Sequence, residues 1–318
     1  MAIETQHLQP DAEGIARAAG LLRAGKLVAF PTETVYGLGA DATNGEAVAS
    51  IYAAKGRPSF NPLIAHVADL EMAASLLDLT ADARLLAEAF WPGPLTLVGL
   101  HKSGGVSELV TAGLPTLAVR VPKHSTARSL LSQVGRPVAA PSANPSGRIS
   151  PTTADHVLSG LNTVIDAVLD DGPCSVGLES TIIGFDGDRP ILLRSGGLAI
   201  EEIQEVLGRQ VTSPRNDAIT APGQLVSHYA PTSQLRLGAE APFQDEVYLS
   251  FGPAPEGNLS LSKSGSLTEA AANLFGALHR LDALAEGRRI AVAPIPEHGL
   301  GIAINDRLRR AAAPRPGP

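Results

Sequence analysis

Apolar positions repeat with helical spacing over residues 11–23, where Ile15, Ala18, Ala19 and Leu22 fall on one face and Gly25 can end the run. KLVAF (26–30) follows as a short buried strand. Asn44 is placed to cap a helix that carries Val48, Ile51 and Tyr52 and ends near Gly56. PLIAHV (62–67) reads as a strand. Residues 69–79 and 81–90 read as helices, the second capped by Thr80, and LTLVGL (95–100) and TLAVRV (116–121) as strands. A helix over 125–134 leads to the apolar strand PVAAP (137–141). STIIGF (180–185) and PILLRSG (190–196) form a pair joined by the turn Asp186-Gly187-Asp188, and 200–207 is helical. Helices and strands interleave, so this part is α/β with a mixed sheet.

Residues 209–225 are polar and loop-like, and a second unit follows. EVYLSFG (246–252) and RIAVAPI (289–295) are strand-like, and 267–285 and 300–312 are amphipathic helices. That β-α-β-α order predicts a small parallel sheet. The tail AAAPRPGP (311–318) reads as disordered. Domain bounds of 1–208 and 232–318, joined by a linker over 209–231, fit the chain length of 318 at roughly 150 residues per domain.

Composition narrows the function. Hydrophobic residues make up 44% and aromatics only 4%, so the core is built from Ala, Val, Leu and Ile. A net charge of −7 argues against holding nucleic acid by bulk electrostatics. One cysteine, Cys174, excludes an internal disulfide and a multi-cysteine zinc site. The first twenty residues lack the basic start and apolar run of a signal peptide, and no apolar stretch nears the ~20 residues of a membrane span, so a cytoplasmic location is expected.

Polar clusters sit at the ends of the expected strands. PTETVYGLGADA (31–42) offers hydroxyls and exposed backbone N–H groups where α/β folds bind ligands, or is an ordinary glycine turn. Lys55 and Arg57 flank Gly56 and either neutralise a phosphate chain or compensate a helix C-terminus. Asn61 and His66 border a strand, and a lone strand histidine is more often structural. Arg120 interrupts an apolar strand, with Thr116 on its face, and must either pair internally or bind an anion. APSANPSGRISPTT (140–153), with Ser142, Asn144, Ser146, Arg148 and Ser150, is a phosphate-binding loop without a Walker sequence, or a surface linker. Ser180 opens a strand and Arg194 closes one. No catalytic triad, HExxH or CxxC spacing occurs. Hydroxyls, amides and arginines suit binding and charge stabilisation more than covalent catalysis.

PTETVYGLGADA, KGRPSFNPLIAHV, WPGPLTLV, AVRVP, APSANPSGRISPTT, LESTII and LLRSGG occur in this order. In them the chain resembles the threonylcarbamoyl-AMP synthases of the YrdC-like family over about residues 10–205. SHYAP (227–231) and GLGIAINDRLRRAA (299–312) resemble the C-terminal domain of the family's long form, with a weaker match over 232–287. The resemblance implies a YrdC-like twisted mixed sheet with a smaller Rossmann-like parallel α/β domain. It implies an activity that makes L-threonylcarbamoyl-AMP and pyrophosphate from L-threonine, bicarbonate or CO2, and ATP with Mg2+. A separate tRNA threonylcarbamoyl transferase complex would consume the product. Threonine contacts would fall on Thr34, His66, Arg120, the backbone of Ala140, and Ser180. ATP contacts would fall on Arg57, Asn61, Thr116, Ser142, Ser150 and Arg194, with Tyr229 reaching in from the linker and Lys55 facing phosphate. No dedicated metal motif is needed, since phosphates supply most Mg2+ ligands. A YrdC-like RNA-binding protein is the alternative, disfavoured by charge and few aromatics. A hydrogenase-maturation carbamoyltransferase, which shares the domain, carries Cys-rich zinc segments and does not fit one cysteine.

Overall fold

The computed structural model describes residues 4–214 and 227–314. The chain opens with β1 (Gln6–Leu8), α1 (Ala12–Arg23), β2 (Val28–Phe30), β3 (Gly37–Asp41), α2 (Gly45–Lys55) and β4 (Ile64–His66). Helices α3 (Leu70–Leu76) and α4 (Ala81–Phe90) lead to β5 (Leu95–Leu100), a short α5 (Glu108–Thr111) and β6 (Thr116–Arg120). Next come α6 (Ser125–Val134), β7 (Val138–Ala139), α7 (Ala154–Leu161) and β8 (Ala167–Leu169), then the hairpin β9 (Thr181–Asp186) and β10 (Arg189–Arg194), and α8 (Ile200–Leu207). The second unit holds β11 (Leu235–Leu237), β12 (Glu246–Ser250), β13 (Leu259–Ser260), α9 (Leu267–Ala285), β14 (Arg289–Val292) and α10 (Leu300–Ala312).

Local chemistry sets the helix ends. Asp11 accepts from the Gly14 amide, Asn44 from the Glu46 and Ala47 amides, and Thr80 from the Ala83 amide, each satisfying an N-terminal donor. Gly56 closes α2 in the left-handed region, where a side chain would be strained.

The ten strands of the first unit form one mixed sheet in the order β1-β8-β2-β3-β7-β4-β6-β5-β9-β10. The second unit is a four-stranded parallel sheet, β11-β14-β12-β13. The expected α/β class and the two sheets are therefore observed. Several short strands escaped the pattern: β1, β8, β11 and β13 have two or three residues each. β3 was expected to belong to a polar turn. It is a strand because Gly39 lies against Phe30 and Val138, where any Cβ would come within 3.0 Å of both side chains. α3 stops at Leu76, short of the expected Leu79, because Leu77 bridges to His101. Helices α5 and α7 were also not expected. The expected polar linker and disordered tail fall partly on 215–226 and 315–318, outside the described residues, whereas Ala311 and Ala312 belong to α10.

Layering explains where a site can lie. On one sheet face, Leu38, Ala65 and Val119 pack with α2 and α7, and Leu95, Leu97 and Ile183 pack with α4 and α8. On the other face, α1 and α6 cover Val28, Phe30, Val138, Ala140, and Ala167 and Leu169 of β8. The rest of that face, over β4, β6, β5 and β9, carries neither helix, and the second unit packs beside it. Val35, Ile149, Leu178 and Tyr229 of the first unit and linker share one apolar cluster with Ala271, Leu274 and Phe275 of α9. His156 of α7 stacks on His279 of α9 with centroids 3.9 Å apart.

Gly177 marks how closely the units meet. Its φ is +74°, and a Cβ there would lie 2.5 Å from the Ala272 carbonyl. Gly177→Ala should cost about 2 kcal/mol or more through combined strain and clash. A thermal melt should show Tm lowered by several degrees, and an unchanged Tm would contradict this contact.

Candidate active site

The uncovered half-face grades from polar to apolar along the strands. Side chains two apart share a face, so His66 with Ile64, Arg120 with Ala118 and Thr116, and Thr96 with Val98 line up. His66 registers with Arg120, and Ile64 and Val98 both register with Ala118. The first row holds charge and hydrogen-bonding groups. The second, Ile64, Val98, Ala118 and Ile182, is an apolar strip.

Arg120 anchors the polar row. Its Nη1 donates to Thr34 Oγ1 at 2.8 Å, its Nη2 to Glu33 Oε1 at 2.6 Å, and its Nε to the Gly93 carbonyl at 3.2 Å. Arg120 and Glu33 are both buried. Burial pushes the Glu33 carboxyl up, but the Arg120 charge and hydrogen bonds outweigh it and hold the carboxyl below its usual value. The turn carrying Glu33 is locked by Thr32, whose hydroxyl donates to the Val35 carbonyl at 2.7 Å and lies 2.8 Å from Thr34 Oγ1. His66 lies buried beside Arg120. Burial and that neighbouring charge depress its imidazole to about 3, so it is neutral at pH 7. Ser180 Oγ lies 2.7 Å from Thr96 Oγ1, and the Ala140 amide donates to the Ile64 carbonyl at 2.9 Å. Thr34, His66, Arg120, Ala140 and Ser180 all line one cavity.

Arg57, Ser142, Arg194 and Tyr229 line the same cavity. Arg57 is fixed by donating from Nη2 to the Pro62 carbonyl at 2.9 Å, and burial lowers its guanidinium to about 10, still charged at neutral pH. Arg194 donates from Nη2 to the Ser180 carbonyl at 2.9 Å and to Ser180 Oγ at 3.2 Å. These contacts hold both arginine side chains at the cavity.

Four expected ATP contacts lie differently. Lys55 does not face the cavity. It is buried, and Nζ donates to the carbonyls of Ser142, at 2.5 Å, and Asn144. A buried ammonium beside Arg57 needs carbonyl partners, so Lys55 holds the 142–150 loop. Asn61 is fully buried beneath the wall, with both amide atoms unpartnered among the described residues. Ser150 sits behind the cavity and donates to Glu179 Oε1 at 2.5 Å. Thr116 stands at the far end of the apolar strip and lines a second cavity with Val98 and Leu193.

The linker closes the roof. The Ala230 amide donates to the Gly147 carbonyl at 2.8 Å, tying SHYAP to the 142–150 loop. His228 and Tyr229 both line the cavity, and Tyr229 adopts a left-handed φ of 63°. Glu33, Glu179, Thr32, Thr96 and His228 were not among the expected site residues. Glu33 had a signal, because an arginine inside an apolar strand demands a buried partner. The Glu179 pairing has none short of the folded chain.

Two outcomes follow. His66 and His228, depressed to about 3, and His156, depressed to about 4, are kept neutral by burial, so the unfolded chain binds more protons below pH 6.5. Stability should be constant above about pH 6.5 and fall on acidification, by about 1.4 kcal/mol per pH unit for each such histidine. Chemical denaturation from pH 7.5 to 5 measures it, and His66→Gln should flatten the slope. Glu33→Gln removes the partner of a buried guanidinium and should cost about 3–5 kcal/mol, read by the same method.

Comparison with known proteins agrees with this architecture. A family model of the Sua5–YciO–YrdC group, described as "Telomere recombination", matches residues 20–196, and one described as "Threonylcarbamoyl-AMP synthase, C-terminal domain" matches 198–313. The second model spans the 232–287 stretch where the motif resemblance is weak. The chain is 41% identical to the threonylcarbamoyl-AMP synthase of Bacillus subtilis, covering 98% of this chain and 96% of that one. It is 42% identical to that of Pyrococcus abyssi, with 94% of each covered. The crystal structure of P. abyssi Sua5 complexed with L-threonine superposes with a TM-score of 0.88 at 38% identity, covering 97% of both chains. A shared fold, two matched domains and near-complete coverage together place the chain in the Sua5–YrdC family, in its two-domain form.

Proposed function

We propose that the protein is an ATP-dependent L-threonylcarbamoyladenylate synthase, a nucleotidyltransferase. The observation that carries this reading is one cavity lined by three buried arginines. Arg120 stands with Thr34, His66 and Ser180, and Arg57 and Arg194 line the same cavity with Ser142 and Tyr229. The likeness to a relative solved with L-threonine supports threonine as the amino acid.

Arg120 uses three N–H groups on its neighbours, and a guanidinium carries five, so two remain for a carboxylate. Threonine held there presents its amine and hydroxyl to neutral His66 and to Ser180. The amine attacks CO2, derived from bicarbonate, forming a C–N bond and releasing a proton. A carbamate oxygen then attacks the α-phosphorus of ATP, and the bond to the β-phosphate oxygen breaks to release pyrophosphate. In such a displacement the protein chiefly positions groups and offsets charge. Arg57 and Arg194 do so here. The apolar strip running from Ile64 to Thr116 offers a flat surface for the adenine.

Mg2+ enters with ATP, whose phosphates and water supply its ligands. The buried carboxylates are already engaged, Glu33 by Arg120 and Glu179 by Ser150 and Arg307. Among the described residues no helix is long and apolar enough to cross a membrane. The labile product suits prompt consumption by a tRNA threonylcarbamoyl transferase complex.

Purified protein should release pyrophosphate from ATP only when threonine and bicarbonate are both present. Arg120→Ala should remove the threonine dependence, and Arg57→Ala should raise the KM for ATP by about tenfold or more, the loss of one charge-assisted contact. Absence of pyrophosphate release with all three substrates contradicts the assignment.

A further inference from the structure

The last helix carries a charge where an apolar residue is expected. Ala303, Ile304, Leu308 and Ala311 form the buried stripe of α10, and Arg307 sits in its middle with no exposed surface. A guanidinium in that position is destabilising unless fully engaged. Apart from Asp306 beside it on α10, its partners belong to the cavity wall or adjoin it, and Nη2 has no hydrogen-bond partner among the described residues. Nε donates to Glu179 Oε2 at 2.9 Å, and Nη1 donates to the Ser195 carbonyl at 2.7 Å, one residue beyond Arg194. The guanidinium carbon lies 5.3 Å from the Tyr229 ring centroid. Nη1 also meets Asp306 Oδ2 at 3.1 Å, and Asp306 Oδ1 accepts from Arg310 Nε at 3.0 Å. The Arg310 carbonyl in turn accepts the His228 amide at 3.2 Å. One turn of α10 therefore fixes Glu179, the backbone after Arg194, and the segment bearing Tyr229.

These contacts are unevenly distributed. They fall on the wall with Arg194, Ser150 and Tyr229. None reaches Thr34, Glu33, His66 or Arg120. Glu179 lines the cavity, and its second oxygen is held by Ser150. Without Arg307, that buried carboxylate would keep only Ser150 and the nearby Arg194 charge against it and would face an incoming triphosphate less neutralised.

We propose that Arg307 is a positioning residue for the ATP-binding wall, so that the second unit completes the active site through α10. This rests on the synthase reading above. Arg307 neutralises Glu179, fixes the approach of Arg194 and supports the Tyr229 ring, and it makes no hydrogen bond to Thr34, His66 or Arg120.

Calorimetric titration of the full-length protein with ATP–Mg2+ and, separately, with L-threonine tests this for wild type, Arg307→Lys, Arg307→Met and the double variant Glu179→Gln/Arg307→Met. Arg307→Met should weaken ATP at least tenfold and leave threonine within twofold. Arg307→Lys should fall between it and wild type. The double variant should regain at least threefold in ATP affinity over Arg307→Met. A merely structural clamp would weaken both ligands in step, and that result, unchanged ATP affinity, or no gain in the double variant overturns the proposal. Should Arg307→Met fail to fold, the same split between ligands is read on Arg307→Lys. If wild type itself binds neither ligand, the synthase reading falls first and the inference with it.

Discussion

Among the described residues, every buried lysine or arginine lies around one cavity: Lys55, Arg57, Arg120, Arg194 and Arg307. Five cations removed from water at one place are tolerable only if each has partners, and that requirement shapes the surrounding chain. Glu33 answers Arg120 and Glu179 answers Arg307. Carbonyls answer the others: Ser142 and Asn144 for Lys55, Pro62 for Arg57, Ser180 for Arg194. The polar loops that bring these oxygens inward are therefore part of the charge balance. An anionic ligand entering the cavity meets donors already oriented, so little reorganisation opposes binding.

The sheet supplies the frame. Its half-covered face gives a graded surface from Arg120 and His66 through the Ile64–Ala118 strip to Thr116. A covering helix there would have buried the polar row without ligands. The linker's Tyr229 instead closes over it, backed by Phe275 and Leu274 of the second unit, which also sends Arg307 to Glu179. The two units thus share a core as well as a site.

Much of this was legible in the chain. Asp11, Asn44 and Thr80 announced three helix starts, and the apolar runs of β5, β6, β9 and β10 announced the strands that bear the site. Strands of two or three residues, such as β1 and β13, carry too few positions for a period to show, and glycine-rich β3 mimics a turn. For the site, residue types around Thr34, His66, Arg120, Ser180 and Arg194 were readable, but side-chain direction was not. Lys55 and Arg57 are two apart at a helix end, and only the fold turns one toward the loop and the other toward the cavity. Arg307 had a local signal, a charge inside an apolar stripe, whereas its partner Glu179 stands 128 positions away.

The central claim is that one cavity holds an amino-acid carboxylate on Arg120 and a nucleotide triphosphate on Arg57 and Arg194. A crystal structure of the protein soaked with L-threonine and a non-hydrolysable ATP analogue tests it most directly. The account predicts the threonine carboxylate on Arg120, the phosphates between Arg57 and Arg194, and the base along the Ile64–Ala118 strip. Both ligands bound elsewhere, or the phosphates on Arg120 and threonine on Arg57, would contradict it.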